Sequence, residues 1–300
     1  MRWTLVMLVA LAACDRHAPS TAVQPAASTP PAAAESAPAP PPGVPCGALE
    51  CRQFDSPLEA FAVATGGDPI VIALGEAHAP KGATAPSAAK RFTQDLLPTL
   101  AGRASDLLLE LMMPPTGCAD AAAEVRKKQE PVTSQHAAAD QSEYVQMGDR
   151  ARALGIVPDL LRPSCADMNA VRDAGDGAIE ASLDLIAHLS GTQAARMVAR
   201  DAKSDADRGK AVIVYGGMLH NDLSPPPERA RWSYATALDG EIGGRLVSID
   251  LVVPEFITGD ATWTELPWVA QYDRARLGSK TTLFRTADRS FVLVFPVATP

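Results

Sequence analysis

Two unbroken apolar runs, rich in β-branched residues, end alike. Ile70-Val71-Ile72-Ala73-Leu74 leads into Gly75-Glu76-Ala77-His78. Ala211-Val212-Ile213-Val214-Tyr215 leads into Gly216-Gly217-Met218-Leu219-His220. An apolar run without alternation reads as a strand buried on both faces, as in a parallel sheet. Each run closes on Gly-x-x-His, so each imidazole falls just past the carboxyl end of a strand. In open α/β sheets ligands bind at that edge.

Between and around these runs the pattern alternates. Ser56-Pro57-Leu58-Glu59 has the form of a helix start. Residues 85–100 repeat apolar side chains at helical spacing, and Pro98 should kink or end the helix. A strand follows over 106–111, then a break at Pro114, Pro115 and Gly117. Residues 119–129 and 142–154 read as helices separated by a polar stretch at 131–141. Gly155 ends the second, and 156–161 reads as a strand.

Residues 177–208 are helical in pattern, with Ile179, Leu183, Ile186 and Leu189 on one side and Gly191 as a point of division. After Pro225-Pro226-Pro227 a helix is expected near 228–238, then a strand over 245–253. Residues 281–284 and 291–297 form a terminal hairpin. Strands alternating with helices imply an α/β fold. Its central sheet is mostly parallel, with helices on both faces and an antiparallel hairpin at the carboxyl end.

The first 45 residues lie outside this pattern. Arg2 and an apolar run to Ala13 read as a secretory signal, too short to span a bilayer as a mature helix. Leu11-Ala12-Ala13-Cys14 resembles a bacterial lipobox, which implies cleavage before Cys14 and a lipid anchor there. Residues 15–45 hold nine Pro and nine Ala, too little large apolar surface to offset chain entropy, so a disordered tether is expected. The expected organisation is a signal peptide over 1–13, a lipid-anchored tether over 14–45 and one α/β domain over 46–300. The expected location is the cell envelope, lipid-anchored, periplasmic or surface-exposed. The membrane is then a partner through the lipid on Cys14.

The formal charge of −8 becomes −9 without Arg2. An acidic domain lacking a Lys/Arg cluster argues against nucleic acid as a partner. Beside Cys14 stand Cys46, Cys51, Cys118 and Cys165. An even set in an exported chain suggests disulfides. Cys46–Cys51 would close a small loop. Cys118 and Cys165 each follow a strand, so bridged exits of adjacent strands are expected. A Cys metal cluster competes with this reading, but no Cys-x-x-Cys pair is present.

Glu110 stands within Leu107-Leu108-Leu109-Glu110-Leu111, where a carboxylate is costly to bury unless a cation, a metal or several donors meet it. A salt bridge to Arg162 is the plain alternative. With two histidines at strand ends and a strand glutamate, His78, Glu110 and His220 form a candidate metal-ligand set. These ligands suit zinc, manganese, cobalt or iron alike. Glu76 is the candidate general base for a metal-bound water. Asn221 and Asp222 are candidates to orient His220. His17, His136 and His188 read as structural or solvated.

Strand-Gly-Glu-x-His, a strand carrying Glu, and strand-Gly-x-x-His together resemble the ChaN/Tiki/TraB superfamily, and more distantly the erythromycin esterases. The likeness spans about 69–227. Leu74 to His78 looks most like the ChaN form, although Ala79-Pro80 stands where that form often has Asp. The resemblance implies haem-binding lipoproteins on one side and metal-dependent proteases on the other. Two functions follow as expectations. One is an exported, metal-dependent hydrolase of amide or ester bonds. The other is a haem-binding, iron-uptake lipoprotein without hydrolytic activity, with Met112, Met113 and Met218 as an adaptable wall. The ligand is then a small molecule, a peptide or haem.

Overall fold

A computed structural model describes residues 43–298. The signal segment, Cys14, His17 and nearly all of the proposed tether lie outside the described residues. Val44–Pro45 (β1) and Arg52–Phe54 (β2) pair antiparallel, so paired strand begins just before residue 46. The chain continues through Pro57–Ala64 (α1), Val71–Glu76 (β3), Ala88–Arg91 (α2) and Ala104–Met112 (β4). Next come Ala119–Thr133 (α3), Asp140–Ala153 (α4), Val157–Leu161 (β5), Cys165–Asp173 (α5), Ala178–Asp201 (α6) and Ala211–Gly217 (β6). Ala235–Glu241 (α7), Leu246–Val252 (β7), Ala261–Thr264 (α8), Arg274–Leu277 (α9), Thr281–Ala287 (β8) and Ser290–Val294 (β9) complete it.

The strands lie in the order β1-β2-β8-β9-β7-β3-β6-β4-β5. From β9 to β5 every neighbouring pair is parallel, and β8–β9 is the antiparallel terminal pair. The chain starts this parallel block in its middle, at β3. It moves outward to β4 and β5, returns to insert β6, and then crosses to β7 on the other side. Such a reversal leaves a crevice at the carboxyl ends of the central strands. The two Gly-x-x-His endings therefore stand side by side, on β3 and β6.

Burial on both faces explains the lack of alternation. Ile72, Leu74, Leu107, Leu109, Ile213 and Tyr215 face one core with Phe61, Phe92 and Met147 from the side of α1, α2 and α4. Val71, Ala73, Leu108, Val212 and Val214 face a second core with Val125, Val171 and Ile186 from α3, α5 and α6. Polar ties fix α6 to the start of β4: Arg200 pairs with Asp106, and Ser105 Oγ donates to Asp201 Oδ2 at 2.5 Å.

Several local expectations need correction. Gly191 does not divide α6. A Cβ there would stand 3.2 Å from Tyr234 Cβ, so the glycine serves a close approach within an unbroken helix. Pro131 lies inside α3, which runs on to Thr133. Around Pro98 the expected helix is replaced by a π turn over Phe92–Leu96 and a 3-10 turn over Leu97–Leu100. Cys46 and Cys51 are bonded, with Cα atoms 5.1 Å apart. Cys118 and Cys165 are neighbouring thiols instead of a bridge. Among the described residues no helix is long and apolar enough to cross a membrane.

Candidate functional site

Glu76 is the last residue of β3 and is 3% exposed. Its carboxylate accepts from Tyr144 Oη at 2.9 Å, from Tyr215 Oη at 2.7 Å, and from His78 Nδ1 at 3.1 Å. Burial, then the neighbouring Glu76, holds the Tyr144 phenol well above its usual range, so it stays a donor. This satisfies a buried carboxylate and leaves it committed on both oxygens. The two tyrosines come from α4 and β6 and meet edge-on, with centroids 5.4 Å apart.

With Nδ1–H given to Glu76, neutral His78 carries its lone pair on Nε2. That nitrogen lies 3.6 Å from the place a Cβ on Gly217 would take. The same place is 3.8 Å from Glu110 Oε2 and 3.8 Å from His220 Cδ2. The bare backbone of Gly217 thus opens a space into which His78, Glu110 and His220 converge. Glu110 leans over Gly216 and accepts the Gly217 N–H on Oε2 at 2.7 Å. Arg162 turns away and pairs with Asp159 at 2.7 Å, so the expected alternative for Glu110 is not formed.

His220 is 4% exposed, and its Nδ1 lies 2.7 Å from the Trp232 carbonyl oxygen. A carbonyl only accepts, so Nδ1 carries the hydrogen and Nε2 faces Glu110 Oε1 at 3.8 Å. Orientation of His220 therefore falls to Trp232. Asn221 reaches away, to Ser248 Oγ at 3.2 Å and Asp250 Oδ1 at 3.0 Å. Asp222 accepts from the Ser224 N–H at 2.8 Å.

His136 joins the site, although its sequence surroundings read as a solvated loop. Its ring lies 4.5 Å from that of His78, and burial, then His78, lowers its pKa. Pairing of Pro80 with His136, and the Ala137 N–H to Ala79 carbonyl bond of 2.7 Å, bring it there. Tyr144 and Tyr215 escape sequence reading for another reason: each looks like core until its hydroxyl partner is known. His188 is exposed on α6.

The metal reading does not survive this geometry. Among the described residues no group of three His, Cys, Asp or Glu side chains is placed to hold a metal ion. Glu110 spends one oxygen on a backbone amide, and its other stands 3.8 Å from the histidine nitrogen it faces. His78, Glu110 and His220 are neighbours but not a ligand set, so the divalent metal and the metal-dependent hydrolase are withdrawn. The haem alternative falls with them. It drew its iron site from the same side chains, which are not placed as a ligand set, and Met113 of its expected wall is exposed with Arg162 beside its sulfur.

These groups open into a cavity of about 1680 Å³. Its walls include Met112, Met168, Ile186, Met218, Phe256 and Trp263, and His78, His136 and His220 line it too. A large, mostly apolar cavity with a few convergent polar groups is the usual form of a ligand site. No family model matches the chain, and neither curated proteins nor solved structures give a match.

Proposed function

We propose that this chain is an acid–base catalyst that needs no metal and moves a proton on a bulky, largely apolar organic ligand. The arrangement around Glu76 carries this reading. Its carboxylate already accepts three donors, so it positions His78 and does not itself take the proton. His78 Nε2 is the base. Once protonated, the imidazolium is stabilised by the carboxylate behind Nδ1. The same Nε2 of His78 then returns the proton to the product or to water, while His220, anchored through Nδ1 with Glu110 near its Nε2, faces the same space. The apolar walls weaken competition from water and strengthen each charge interaction inside.

The reaction class is proton abstraction from an activated C–H or O–H group. A nitrobenzisoxazole tests it, because its ring opens when a base removes one carbon-bound proton, and the phenolate product is coloured. Wild-type protein in excess chelator should speed the opening above buffer alone, and decanol should compete. A rate that disappears with chelator would overturn the reading.

We further infer residence in an oxidising compartment of the cell envelope, anchored through Cys14. The Cys46–Cys51 disulfide and the order of Arg2, apolar run and small residues support this. Common descent with the ChaN/Tiki/TraB superfamily is likewise a proposal, supported by the two Gly-x-x-His endings on adjacent parallel strands.

A further inference from the structure

One level of the sheet carries a polar group that the acid–base site does not use. Gly75 stands in register with Gly216 on one side and Asp250 on the other, and Asp250 with Val292 beyond. Two neighbouring glycines leave a trough in the sheet surface. Glu110 fills it over Gly216, and Asn221 fills it over Gly75. Asp250 comes next, partly buried, and lines the same cavity as His78 and His220. Asn221 Nδ2 donates to its Oδ1, and among the described residues no second donor reaches the carboxyl.

Beside Asp250 lies a second, independent sign. Ser290 on β9 is in register with Ser248 on β7, so both hydroxyls share the face that carries Asp250. Ser290 is 8% exposed and lines the cavity, yet its Oγ has no hydrogen-bond partner. A buried hydroxyl left unpaired is costly and marks a place for an absent partner. The charge around the cavity favours a cation. Seven carboxylates line it, Glu110 and Asp250 among them, against Arg126 and Arg229, and Arg229 is 4.0 Å from Glu265.

We propose that Asp250 and Ser290 form a second polar subsite that binds the ammonium group of an elongated amine, whose apolar body lies along the cavity toward the histidine cluster. This rests on the reading of the cavity as the ligand site and names the class of ligand. Asp250 and Gly216 are two strand spacings apart, about 10 Å, so one ligand of moderate length spans both poles. The ammonium donates to the carboxylate and to Ser290 Oγ, which supplies the missing partner.

Calorimetric titration of the full chain with decylammonium, decanol and decanoate, each below its micelle concentration, tests this. Decylammonium should bind at least about tenfold tighter than the other two, as a charge-assisted hydrogen bond implies. Asp250→Asn should abolish that preference, and Ser290→Ala should reduce it. The preference should persist in His78→Ala even though proton abstraction is lost, so failure of the subsite and failure of the base are read separately. Equal binding of decanoate or decanol to the wild type, no binding of any probe, or an undiminished preference in Asp250→Asn would overturn the proposal.

Discussion

Asn221 occupies the space a side chain on Gly75 would need. A Cβ there would stand 2.5 Å from Asn221 Oδ1 and 2.6 Å from Met218 Cα. One of these neighbours is backbone, so the clash cannot be relieved by a rotamer alone. Gly75→Ala should therefore destabilise the fold by about 1–3 kcal/mol, the usual cost of overpacking a core. Urea unfolding measures it, and a midpoint equal to wild type would show that the loop after β6 is not seated as described.

Two groups should shape stability against pH, with opposite signs. Withdrawal from water pushes the Asp250 carboxyl up to about 7, opposed by the Asn221 hydrogen bond. Its folded value is raised above the ordinary 3.8, so its contribution is full below that pH and is lost as pH rises toward 7. Burial, then His78, lowers the His136 pKa below 6.5. Its contribution is full above 6.5 and is lost as pH falls through the lower folded value. Unfolding measured from acid to neutral pH should show Asp250→Asn gaining on wild type as pH rises. A constant difference across that range would contradict the assignment.

The thiols should react in order. Cys118 is buried, and its hydrogen bond to Cys165, then burial, pushes its pKa up to about 11. Cys165 is partly exposed at the start of α5. Alkylation of native protein should modify Cys165 first, Cys118 only after unfolding, and Cys46 and Cys51 only after reduction. A Cys118–Cys165 bridge in a non-reducing peptide map would contradict this order.

Much of this was legible in the sequence because burial on both faces leaves a plain mark. The runs at 70–74 and 211–215 read as parallel strands, and their glycines placed His78 and His220 at one edge. Glu110 stood out as a carboxylate within an apolar strand. The metal was read from residue types, which do not report direction: Glu110 accepts a backbone amide and His220 grips a carbonyl twelve residues away. His136, Tyr144 and Tyr215 were illegible because their roles depend on tertiary contacts. Cys118 and Cys165 were placed near each other correctly, since the exits of β4 and β5 do lie side by side, but proximity did not make them a bond.

His78, held by Glu76, is the proposed base, acting in this cavity without a metal. The most direct measurement is the rate of nitrobenzisoxazole opening, in chelator, by wild type, Glu76→Gln and His78→Ala. General-base catalysis by a positioned side chain contributes about 100-fold or more, so His78→Ala should lose at least that factor above buffer. Glu76→Gln should lose less, because it leaves the base in place but one of its three donors unmatched. A His78→Ala protein that opens the ring at the wild-type rate would contradict the account.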